Sequence, residues 1–109
     1  MGEKRKYPRV GISFPIEYDL LPRRNYFYTV TKDLSEGGAK ILTDKFIPKG
    51  NDVKVNINLI NKMVNLKAKV IWCNKERIGE RYSVGLRFTE VNKNSKSSLV
   101  DLINYINPA

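Results

Sequence analysis

The sequence predicts a mainly β fold, a six-stranded antiparallel β-barrel closed by a carboxy-terminal α-helix. Apolar and polar residues alternate with a period of two through most of the chain, short clusters of Pro, Gly and Asn interrupt the alternation, and only the last segment changes to a helical period. Closing such a set of strands into a barrel also removes exposed edges. At 109 residues the chain is long enough for one domain with its own core.

Residues 10–20 alternate: Ile12, Phe14, Ile16, Tyr18 and Leu20 share one side, and Ser13, Glu17 and Asp19 the other. Pro15 belongs at an edge or a bulge, because it has no N–H to give to a ladder. Leu21 to Asn25 is a connection, in which Arg23 and Arg24 are either solvated or within reach of an anion. Tyr26 to Thr31 is aromatic and β-branched, as a pleated surface favours. A turn at 33–38 leads to a short strand, Ala39 to Leu42, and Phe46 to Asn51 turns again through Pro48 and Gly50. Val53, Val55, Ile57 and Leu59 form the clearest strand. Asn61-Lys62 is the expected hairpin tip before Val64, Leu66, Ala68, Val70 and Trp72, which share a face. Asn74 to Glu80 is a polar connection, and Tyr82, Val84, Leu86 and Phe88 form the last strand.

Leu99, Leu102, Ile103 and Ile106 fall at spacings of three and four, which predicts a helix over 94–107 with one apolar face. Ser95 or a neighbouring Asn caps its start, and Pro108 stops it. Such a helix either packs on the barrel or serves a dimer. A monomer or a homodimer is therefore expected.

Twenty Lys and Arg against eleven Asp and Glu give a net charge of +9, which suits a polyanionic partner. The excess is spread along the chain apart from one cluster at Lys4 to Arg9. The lone Cys73 makes no internal disulfide and fits a reducing compartment. There is no signal-peptide pattern and no apolar run of membrane-spanning length, so a cytoplasmic protein is expected. The chain has no histidine, the usual proton-transfer group near neutral pH and the commonest metal ligand, and one cysteine cannot make a usual zinc site. Ser35 has no evident base, and Gly37-Gly38-Ala39-Lys40 leads into a strand rather than the helix of a nucleotide-hydrolysing phosphate loop. No enzyme activity, metal or cofactor is expected.

Two motifs carry chemistry. In Arg5-Lys6-Tyr7-Pro8-Arg9 two arginines stand four apart, with Lys4 beside them and a proline that disfavours helix at Tyr7. Each guanidinium is a planar fork matched to phosphate oxygens or to the acceptor edge of guanine. In Asp33-Leu34-Ser35-Glu36-Gly37-Gly38 a carboxylate, a hydroxyl and paired glycines lie between two strands. Asp and Ser bond nearby amides in turns, and Gly allows an approach that any Cβ would forbid.

These motifs, in this order and followed by Val70-Ile71-Trp72, Tyr82-Ser83-Val84-Gly85-Leu86-Arg87-Phe88 and a terminal helix, resemble the PilZ domain family of bacterial cyclic di-GMP receptors from Lys4 to the end. The resemblance implies a PilZ-like split barrel spanning 10–109 behind a flexible arm at 1–9, in a stand-alone member. It implies cyclic di-GMP as a reversible ligand of Arg5, Arg9, Asp33, Ser35 and Gly38, with Lys4 and Gly37 as possible additional contacts. In the family the arginine pair meets phosphate and guanine, and one ligand or a stacked pair is bound. A carboxylate at Asp33 accepts from the pairing edge of guanine, and Gly38 leaves room for the rings. Ligand binding would order the arm and signal to a downstream effector protein. The alternative is a basic β-barrel that binds RNA or single-stranded DNA, on which Tyr26, Phe27 and Tyr28 would offer stacking surfaces; nucleic acid is the less favoured partner.

Overall fold

The computed structural model describes residues 11, 13–21, 26–59 and 62–106. Six antiparallel strands, β1 (Pro15–Leu20), β2 (Tyr26–Leu34), β3 (Gly38–Thr43), β4 (Asp52–Leu59), β5 (Lys62–Lys75) and β6 (Tyr82–Val91), precede one helix, α1 (Lys93–Ile106). They close into a barrel in the order β1-β2-β3-β6-β5-β4.

Alternation fills the barrel. Ile16 and Tyr18 of β1, Val53, Val55, Ile57 and Leu59 of β4, and Val64, Leu66, Ala68 and Val70 of β5 are all buried. Pro15 is the exposed first residue of β1, where its missing N–H does no harm. The closing seam pairs Glu17 with Asn56, whose amide nitrogen donates to Glu17 Oε1 over 3.0 Å. Gly50 takes a φ of 94° in the turn that follows Pro48, and Asn51 N–H donates to the Pro48 carbonyl.

Three register shifts change what the alternation implies. Lys32 is an extra residue in β2, Ile71 in β5 and Thr89 in β6. The shift at Ile71 corrects the expectation that Trp72 shares the inner face of Val64 to Val70. Val70 faces inward opposite Leu86, whereas Trp72 lies opposite Gly85 with its ring against that glycine's backbone. Two connections also differ from expectation, the first shifted by one residue and the second shorter. Lys62 is the first residue of β5, opposite Leu59, and β5 continues through Asn74 to Lys75, because both residues find partners on β6.

The helix begins one residue earlier than expected and ends at Ile106. Asn92, rather than Ser95, is the cap: its Oδ1 accepts from Ser95 N–H over 2.8 Å. Ser95 is buried and turns its hydroxyl to the Asn65 carbonyl of β5, 3.3 Å away. Leu99 and Ile103 are buried, while Tyr105 points outward at 82% exposure. The helix therefore docks on the barrel wall at β5.

Candidate functional site

The loop motif is the hairpin turn between β2 and β3. The bulge at Lys32 shapes its approach, since an unbroken alternation from buried Thr31 would turn Asp33 inward and Leu34 outward. With one extra residue the order reverses: Leu34 is fully buried, and Asp33 is only half-buried, opposite Lys40.

Ser35 is buried at 6% exposure and organises the turn. Its Oγ accepts from Gly37 N–H at 3.2 Å and Gly38 N–H at 3.1 Å, and donates to the Gly38 carbonyl at 3.3 Å. Its own N–H donates to the same carbonyl at 2.9 Å. The hydroxyl's proton and both lone pairs are thus engaged within the turn. Gly37 fastens the turn to the next strand by accepting from Phe88 N–H at 2.9 Å. Gly38 answers a demand from β6: a Cβ there would run into the Leu86 carbonyl. The requirement for glycine at this position exists whether or not a ligand lies nearby.

Of the other motif, only the chain that follows it is described. Lys4, Arg5 and Arg9 lie outside the described residues, as do Arg23 and Arg24. Phe14, five residues beyond Arg9, is held by Thr31 on both its backbone groups. Phe14 N–H donates to Thr31 Oγ1 and Thr31 N–H to the Phe14 carbonyl, each over 2.9 Å. Because β1 and β2 are antiparallel, this pairing starts the preceding chain on the side of Thr31 that leads to Asp33 and the turn.

Register shows which outer side chains surround it. Asp33, Lys40, Gly85 and Trp72 lie in one cross-strand row, and Gly38, Arg87, Lys69 and Asp52 in the next. The Trp72 ring occupies the space that Gly85 leaves open. Lys69 Nζ is 3.4 Å from Asp52, which offsets part of its charge, and Arg87 is exposed. Two carboxylates, a half-buried turn rich in amides, three cations and an indole therefore share one face of the barrel. Lys40, Arg87 and Trp72 were not among the sequence-derived site residues, and only the strand register brings them there. Among the described residues no cluster of three metal-ligating side chains occurs. No helix among them is long and apolar enough to cross a membrane.

The family model described as PilZ domain matches residues 3–105, nearly the whole chain. This chain belongs to the PilZ domain family. Solved structures of similar fold include the Bacillus subtilis inhibitor of motility MotI/DgrA, with 15% identity and a TM-score of 0.82 over 94% of this chain and 51% of that one. The PilZ domain of Escherichia coli YcgR, solved with c-di-GMP, has 17% identity and a TM-score of 0.76 over 95% and 92% of the two chains. The K. pneumonia MrkH–c-di-GMP complex has 15% identity and a TM-score of 0.76 over 96% and 53%. This PilZ domain thus spans about half the length of the MotI and MrkH chains. No curated protein matches it significantly.

Proposed function

We propose that this PilZ domain binds cyclic di-GMP between the amino-terminal arm and the β2–β3 turn. The observation that carries the reading is the reciprocal pairing of Phe14 with Thr31, which holds the chain five residues after Arg9 against the strand that carries Asp33 and so supports an arm that can meet the turn. Membership of the family, and relatives whose structures hold c-di-GMP, support the same ligand class.

The residues divide the work by chemistry. Arg5 and Arg9 supply planar forks for the phosphates and the acceptor edge of guanine, with Lys4 adding charge. Asp33, turned outward by the bulge, accepts from the donors on the pairing edge of guanine, a pattern that adenine does not present. Ser35 acts from within by holding the Gly37 and Gly38 amides in place, and Gly38 brings the turn against β6. Lys40, Arg87 and the Trp72 ring border the same surface and extend it with charge and a stacking face. An arm carrying Lys4, Arg5 and Arg9 repels itself when empty and closes when two phosphates neutralise it. That closure is the signal, read by a downstream effector protein.

Calorimetric titration of the chain with cyclic di-GMP, GTP and a short single-stranded oligonucleotide tests the reading. Saturable binding of the cyclic dinucleotide at micromolar concentration or below, well ahead of GTP, is expected. Steeply salt-dependent binding of the oligonucleotide alone would replace the reading with that of a nucleic-acid-binding barrel.

A further inference from the structure

The barrel wall is incomplete between β2 and β3. β2 pairs with β1 from Tyr26 to Val30, but its rungs to β3 begin only at Thr31. Thr31 turns its N–H to β1, so alternation turns the N–H and C=O of Tyr28 the other way, toward β3, where no rung among the described residues meets them. A groove of about 720 Å³ fills this opening, bordered by Tyr28, Val30, Leu42, Asp44 and Arg81 and floored by Phe27. Tyr28 is 79% exposed and Val30 39%, so both offer apolar surface beside the groove. Lys45 Nζ sits 5.4 Å from the centre of the Phe27 ring, so Arg81 and Lys45 outweigh Asp44 around the groove.

We propose that this edge of β2 receives an extended, acidic segment of a partner protein by strand addition, with apolar side chains of the segment against Tyr28 and Val30. An unfilled ladder calls for alternating amide donors and acceptors, which neither nucleic acid nor a helical peptide presents. A second copy would bring two chains of net charge +9 together, whereas an acidic segment meets Arg81 and Lys45 favourably. The surface lies beyond the far end of the β2–β3 pairing from the Ser35 turn, so it stands independently of the nucleotide reading.

The probe is a fluorescein-labelled peptide of alternating valine and threonine flanked by glutamates, titrated into the whole chain and followed by anisotropy. Saturable binding is expected, with slowed hydrogen exchange at the Tyr28 amide. N-methylation of alternate peptide residues, or Tyr28→Pro in the protein, should weaken it about tenfold or more. The Tyr28 N–H is not used by β1, so the proline variant should keep its fold and its cyclic di-GMP binding; if it unfolds, the N-methylated peptide still decides. No saturation at millimolar peptide, equal binding of the N-methylated peptide, or equal binding when lysines replace the glutamates would overturn the proposal. Sedimentation that reveals a dimer abolished by Tyr28→Pro would overturn it too, by assigning the edge to a second copy.

Discussion

Ser35 and Gly38 hold the β2–β3 turn in different ways, and their substitutions should fail differently. Ser35→Ala removes the acceptor of two amides in a buried turn and should destabilise the fold by about 1–2 kcal/mol in denaturant unfolding. Gly38→Ala forces β3 away from the Leu86 carbonyl and should cost more, on the order of 2–3 kcal/mol. A Gly38→Ala variant as stable as the parent would show that β6 yields at this point. Tyr18 offers a separate test. Burial, and secondarily the Asp44 carboxylate, push its phenol up to about 12 from the ordinary 10.0. The unfolded phenol ionises near 10 while the folded one keeps its proton until about 12. Stability is therefore intact below pH 10 and falls as pH rises toward 12. Two pH units of separation correspond to a loss of at most ~2–3 kcal/mol. Denaturant midpoints measured across that range should drop for the parent chain and drop less for Tyr18→Phe.

At the level of elements, the alternation that made the strands legible also hid the surface they build. The inward residues of β4 and β5 stood out because a period of two separates them cleanly from Lys54, Lys67 and Lys69. The extra residues Lys32, Ile71 and Thr89 were invisible, because a bulge leaves composition unchanged and shows only in what lies across the ladder. Trp72 therefore reads as sharing the face of Val64 to Val70 but sits on the opposite one, and nothing in the spacing around Asp33 gives the reason for its outward position. Ser35 was legible as a turn residue, but the saturation of its hydroxyl by Gly37 and Gly38 depends on backbone geometry that spacing does not encode. At the start of α1 the sequence left Ser95 and a neighbouring Asn equally open, and the amide of Asn92 settles it. Asn92→Ala should lower stability by about 1 kcal/mol and leave ligand affinity unchanged, as paired unfolding and binding measurements would check.

For the whole molecule, the barrel brings two distant parts of the sequence to one place. Thr31 fixes Phe14, five residues after Arg9 in the chain, and the bulge beyond Thr31 turns Asp33 outward on the same strand. On the function proposed above, the positive charge of Lys4, Arg5 and Arg9 favours closure on a dinucleotide with two phosphates. The far part of β2, beyond its last rung to β3, gives the same barrel a second surface, separate from the Ser35 turn.

The claim that arm and turn grip one ligand is tested most directly by a cycle of cyclic di-GMP affinities for the parent chain, Arg9→Ala, Asp33→Ala and the double variant. Each single change is expected to weaken binding about ten- to a hundredfold, equivalent to ~1–3 kcal/mol, and the two losses should not add. Parent-like affinity in either single variant, with the fold intact, would contradict the shared grip.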